Sequence, residues 1–201
     1  GKLRVTGEDR VKWLQSVISN DILPLQPGQG RYSSLLTHKG KMLTYFRLYM
    51  QSEAVMLEDV GEIGDITFQA LRKFLLYGVK AKMENCAESW GLLLISGPKA
   101  AHVVQSAFGV DVTDLKPVDF VTAQIGGHHA LVLCTEETGE VDIEVLLPVD
   151  SLLTTWTSVM QAGEKFGIRA IGNHAREALR IEAGIPKAGP DLNEEIVPPE
   201  A

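Results

Sequence analysis

The sequence is poor in cysteine and has no long apolar run. Among its 201 residues only Cys86 and Cys134 are cysteines, and no Cys or His stands beside them at a metal or redox spacing. That excludes a disulfide framework, a CxxC redox site and a zinc ribbon. Both lie next to apolar stretches and read as buried free thiols, suited to a reducing cytosol or organelle matrix. No apolar stretch approaches the ~18 residues of a membrane span. The longest, around Leu92 to Ile95, reads as a buried strand. Nothing resembles a signal peptide. The chain opens on the strand-like Lys2-Leu3-Arg4-Val5, as an excised piece of a longer protein would, which leaves room for a removed targeting segment. A cytoplasmic protein is expected, or a mitochondrial one if a transit peptide has been cut away. The net charge of -7 gives no chain-wide attraction to phosphate backbones, so neither direct nucleic-acid binding nor a membrane partner is expected.

Catalytic signatures are missing too. There is no nucleophile elbow and no strand-glycine-helix dinucleotide crossover. "SGPKA" lacks the glycine spacing of a nucleotide loop and the Ser or Thr after Lys99, and reads as a helix start with Pro98 in the first turn. His128-His129 follows a Gly-Gly turn; neighbouring strand residues point to opposite faces and cannot easily share a metal.

What is present is a soluble core pattern, 45% apolar and 22% charged. The period of the apolar residues predicts a strand, then a helix through Val11, Leu14, Val17 and Ile18, then a hairpin turning at "THKGK". "AVMLEDV" reads as a strand and Gly61 to Gly64 as punctuation. "DITFQALRKFLLYG" reads as an amphipathic helix capped by Asp65, and "VKAKMEN" as a strand. A second set follows: strand "WGLLLISG", a helix, a hairpin turning at Gly126-Gly127, strand "EVDIEVLLP", and two helices, the last closed by Gly184. The expectation is an α+β fold of mostly antiparallel sheets with packed helices, in two closely associated subdomains of roughly 1–87 and 88–201.

Two segments carry chemistry. In "TGEVDIEVLLP" the acids Glu140, Asp142 and Glu144 fall at period two, which puts them on one face. Periodicity alone favours a solvated edge strand; the functional reading is that Glu140 accepts hydrogen bonds from a ligand's amide and amine groups. In "HAREALRIEAG", Arg176 and Arg180 lie on successive turns of one helix. They form either a surface salt-bridge ladder or a clamp for a ligand carboxylate.

The segments "RVTGEDRVKWLQSVISNDI", "PGQGRYSSLLTHKGKML", "LLLISGPKA", "ETGEVDIEVLLP" and "AREALRIEAGIPKAGPDLNEEIVPPEA" resemble, in order, the folate-binding T-protein superfamily. It comprises the aminomethyltransferase of the glycine cleavage system and the YgfZ-type folate-binding proteins. The resemblance implies a tetrahydrofolate pocket in a cleft between subdomains. It implies that Glu140 binds the pterin, that Arg176 lines the folate site, and that Asn20 and Tyr32 lie near it. No catalytic residue is assigned; Asp65 is the one candidate acid. Aminomethyltransferases carry an "NA-x-N-x-x-KD" segment, whereas this chain reads "LEDVGEIGD". The ending "NEEIVPPEA" resembles the lead-in to the YgfZ-type "KGCYxGQE" loop, so that loop and a barrel domain are expected to follow in the longer protein. The resemblance therefore implies a YgfZ-type tetrahydrofolate-binding protein, with iron–sulfur proteins as partners and an indirect effect on tRNA modification. The alternatives are a folate-dependent aminomethyltransferase and a ligand-free interaction module.

Overall fold

A computed structural model of the chain describes residues 1–59 and 64–200. Residues 60–63, the centre of the "LEDVGEIGD" stretch and most of the expected glycine punctuation, lie outside them. The chain divides into two compact units: Gly1–Ala87 with the segment from Pro186 onward, and Glu88–Ile185.

The first unit is built on a five-stranded sheet. Its strands are β1 (Lys2–Thr6), β2 (Gly30–Leu36), β3 (Met42–Met50), β4 (Ala54–Asp59) and β5 (Lys82–Asn85), ordered β2-β3-β4-β1-β5 with every pair antiparallel. Helices α1 (Arg10–Val17) and α2 (Gly64–Arg72) bring Trp13, Leu14 and Leu71 onto Leu3, Val5, Phe46, Leu48, Val55 and Leu57. Alternate residues of β3 and β4 point to the other face. There Arg47, 2% exposed, pairs with Glu58 at 3.1 Å, and the Tyr49 hydroxyl donates to the same carboxylate at 3.0 Å.

The helix expected over "DITFQALRKFLLYG" ends at Arg72. The chain then tightens into three-residue turns, with Phe74 N–H on Leu71 O and Leu75 N–H on Arg72 O, and Leu75 and Val79 pack onto the core. Asp65 is not the cap but lies in the first turn of α2. The turn from β1 into α1 is a close approach. Gly7 has φ +102°, and a Cβ there would stand 2.2 Å from the Lys80 carbonyl oxygen. Lys80 O also accepts the Asp9 N–H at 3.1 Å, so it cannot simply retreat. The segment from Pro186 on is tied to the sheet by Met42 N–H on Ile196 O at 3.0 Å and Lys41 Nζ on Glu195 O at 2.6 Å.

The second unit has a four-stranded antiparallel sheet ordered β6-β9-β8-β7, from β6 (Trp90–Ser96), β7 (Phe120–Ile125), β8 (His128–Thr135) and β9 (Asp142–Pro148). Helices α3 (Ala100–Phe108) and α4 (Leu152–Gly163) pack on each other and cover one face with Val103, Val104 and Val159 against Ile95, Val132, Ile143 and Val145. Pro98 precedes the Lys99 cap of α3 rather than sitting in its first turn. The last helix, α5 (Asn173–Glu182), is closed by Gly184 at φ +70°, as its sequence leads one to expect. Cys86 is buried and Cys134 half-buried, both free, and burial pushes both thiols above their ordinary pKa.

Gly7→Ala adds a clashing Cβ at a backbone conformation that L residues avoid. It should lower stability by more than about 1 kcal/mol in a urea titration; an unchanged midpoint would show that the turn can open.

Candidate functional site

β9 lies between β6 and β8, so it is central rather than an edge. Asp142 and Glu144 are fully buried, which overturns the solvated-edge reading of the three acids. Asp142 and Glu144, two residues apart on the strand, share a face as period two requires, and that face is buried. Glu140 is separate: it precedes the strand and is exposed.

Asp142 organises the loop between β8 and β9. Its carboxylate accepts the Thr138 N–H at 2.7 Å and the Thr138 hydroxyl at 2.8 Å, and Ser96 Oγ lies 2.7 Å from that hydroxyl. Gly97 N–H donates to Val141 O at 2.9 Å. Gly139, φ +75°, comes so close to α5 that a Cβ would be 3.0 Å from Ala183 Cβ. The loop is thus pinned on both sides of Glu140.

The same loop turns Glu137 inward, to 4% exposure. Glu137 accepts a hydrogen bond from Arg176 Nη2 and forms an ion pair with it. Arg180 faces a different duty. Its Nε and Nη2 are both 3.3 Å from Glu177 Oε2, and its Nη1 donates to Ile185 O at the helix end. The two arginines therefore divide the alternatives: Arg180 braces its own helix, and Arg176 reaches the site.

Glu140 and Arg176 line one cavity of about 680 Å³, inside the range of roughly 300–1,000 Å³ typical of small-molecule sites. Its walls are mostly apolar: Leu93 and Ile95 of β6, Trp156, Val159 and Met160 of α4, then Phe166, Ile168 and Ile171. The Gly97-Pro98-Lys99 turn, set aside from sequence as a mere helix start, also lines it, as does Arg169. All of these residues belong to the second unit.

Asn20 and Tyr32 lie together on the first unit. Asn20 Nδ2 donates to Tyr32 O at 3.0 Å, and the Asn20 N–H donates to Ser33 Oγ at 3.2 Å. The Tyr32 ring stacks on Tyr45, with centroids 5.5 Å apart and planes 2° from parallel. Asp65 is exposed and its Oδ1 accepts from Asn85 Nδ2 at 3.2 Å. No cluster of His, Cys, Asp or Glu fit to hold a metal occurs among the described residues. No described helix is long and apolar enough to cross a membrane.

Sequence reasoning missed Glu137, Lys99 and Arg169. Glu137 stands next to Glu136 in "CTEETGE", and only its contact in the folded chain with Arg176, 39 residues away in sequence, singles it out. Lys99 lies in a turn and Arg169 in the irregular segment before α5, with no periodicity to read.

The second unit thus combines an antiparallel sheet with a largely apolar cavity whose lining carries one acid and three cations. The chain belongs to the GCVT N-terminal domain family, which matches residues 1–201. It is similar to the aminomethyltransferase of Caldanaerobacter subterraneus subsp. tengcongensis, 31% identical over 100% of this chain and 54% of that protein. It is similar to the aminomethyltransferase of Bacillus subtilis, 30% identical over 100% of this chain and 56% of that protein. The crystal structure of glycine cleavage system aminomethyltransferase T from Bartonella henselae matches at TM-score 0.86 and 25% identity, over 98% of this chain and 52% of that one. Heterotetrameric sarcosine oxidase from Corynebacterium sp. U-96 shares the fold, at TM-score 0.60 and 16% identity, over 85% of this chain and 83% of that one. The chain spans a little over half the length of the aminomethyltransferases it matches.

Asp142→Ala leaves the Thr138 N–H without its acceptor in a dry interior. The expected cost is about 1–3 kcal/mol in chemical denaturation, with faster proteolysis between β8 and β9. Wild-type stability and protection would show that the loop is held by other bonds.

Proposed function

We propose that this chain is the tetrahydrofolate-binding portion of an aminomethyltransferase-type protein, with the cavity of the second unit as the ligand site. The observation that carries this reading is the convergence of Glu140 and Arg176 on one apolar cavity, in a chain of this family. Aminomethyl transfer is named for proteins nearly twice as long, so the part proposed for this chain is binding and orientation.

The residues present fit the ligand. A reduced pterin offers a row of N–H donors, and an exposed carboxylate such as Glu140 accepts them. The flat rings suit walls of Trp156, Phe166 and Leu93, and a lining that carries cations as well as Glu140 suits a ligand with carboxylates. Bound tetrahydrofolate would supply the nitrogen that accepts a one-carbon unit. Glu140 would orient the pterin and the apolar walls would exclude water. Asn20 and Tyr32 are proposed as further ligand-facing positions on the resemblance alone. Calorimetric titration of tetrahydrofolate into wild type and Glu140→Ala should show about tenfold weaker binding in the variant. Equal affinities would remove Glu140 from the site.

A second reading, the YgfZ-type accessory protein of iron–sulfur cluster assembly with its indirect effect on tRNA modification, is favoured by one stretch. Where aminomethyltransferases carry "NA-x-N-x-x-KD", this chain has Glu58 tied to Arg47 and Tyr49, and Asp59 accepting the Thr67 hydroxyl at 2.8 Å. These acids are bonded within the sheet and to α2. Both readings are compatible with the cytosol or the mitochondrial matrix. An assay with an aminomethyl-lipoyl carrier separates them. Turnover abolished by Asp65→Asn supports the transferase; absence of turnover in wild type, with folate binding intact, supports the accessory role.

A further inference from the structure

We propose that Lys99 and Arg169 receive the anionic tail of the ligand, and that Arg176, the residue the family resemblance puts at the folate site, does not. The inference rests on the folate reading of the cavity and assigns the specificity within it.

Four charged side chains line the cavity: Lys99, Glu140, Arg169 and Arg176. They are not equivalent. Arg176 is already committed to Glu137, a carboxylate only 4% exposed that sits on its guanidinium. A second carboxylate brought to Arg176 would meet the Glu137 charge at hydrogen-bond range, and like charges this close repel strongly where water is scarce. Arg176 and Glu137 together present a neutral pair to the cavity.

Lys99 and Arg169 differ in every respect that matters here. Both are exposed, and neither has an ion pair or hydrogen bond from its side chain among the described residues. Their backbones are nonetheless anchored. Lys99 is the cap residue of α3, on a turn closed by Ala100 N–H on Gly97 O at 2.9 Å, so the positive end of the helix adds to its charge. Arg169 follows Ile168, whose N–H donates to Gly163 O at 3.1 Å and whose side chain lies where a Gly163 Cβ would be, 2.7 Å away. The chain as a whole carries -7 and repels anions at a distance. Two uncompensated cations on one cavity are therefore a local reversal of sign, of the kind that selects an acidic ligand group.

The arrangement sorts the ligand by its parts. The Glu140 carboxylate takes N–H donors, the apolar walls take the rings, and the two uncompensated cations take carboxylates. A pterin without the tail loses only the last of these.

Calorimetry with two probes tests the assignment: tetrahydrofolate, and a tail-less tetrahydropterin, each titrated into wild type, Lys99→Gln/Arg169→Gln and Arg176→Gln. The double variant should bind tetrahydrofolate about tenfold more weakly, with a flatter dependence on salt, while its affinity for the tail-less pterin stays at the wild-type value. Arg176→Gln should change both ligands by the same factor. Equal loss for the two ligands in the double variant, or no loss, overturns the inference while leaving the folate reading intact. A tail-selective loss confined to Arg176→Gln does the same. Wild type that binds neither probe overturns the folate reading itself, and the inference with it.

Discussion

A single fully buried carboxylate organises the site. Asp142 takes both the amide and the hydroxyl of Thr138, four residues earlier, and so closes the loop that enters β9. Charge-assisted bonds of this kind are strong, and a dry interior makes them stronger. Everything functional on the loop follows from that closure. Glu137 is turned in to meet Arg176, Gly139 is brought against α5, and Glu140 is left outside at the cavity. One buried acid thus sets the opposite exposures of its two acidic neighbours.

The first unit shows the same economy on its sheet. Arg47, Tyr49 and Glu58 sit on the face opposite Leu48 and Leu57, and are buried there. Such a network contributes little net stability against an apolar alternative, yet removing one member costs about 3–5 kcal/mol. It fixes register, because Arg47 and Glu58 are direct cross-strand partners, and a one-residue slip would drive both into the apolar core face. In "LEDVGEIGD", Glu58 and Asp59 are hydrogen-bonded within the fold, whereas Asp65 is exposed on the first turn of α2.

The cavity owes its character to helices and turns rather than to the sheet alone. β6 supplies one wall, α4 another, and the cations come from the cap of α3, the irregular segment between α4 and α5, and α5 itself. At Lys99 and Arg169 an anchored backbone carries a side chain with no partner among the described residues, which is what the proposed tail contact requires. Pinned backbones carrying partnered side chains, as at Arg176, give shape instead.

The sequence alone determined the elements and their order. Period-two runs gave the strands, Gly126-Gly127 supplied the positive φ of the β7–β8 turn, and Gly184 closed α5, because these are local conformational rules. The family also followed from local segments in order, and Glu140 was singled out with it. Other properties are non-local. The burial of Asp142 and Glu144 depends on β9 lying between β6 and β8, and a strand's own residues look alike at a sheet's edge or centre. The commitment of Arg176 depends on Glu137, distant in sequence and brought near only by the loop that Asp142 closes. Lys99 and Arg169, 70 residues apart in sequence, share one cavity only in the folded chain. Periodicity reports which way a side chain points; only tertiary packing decides what it meets there.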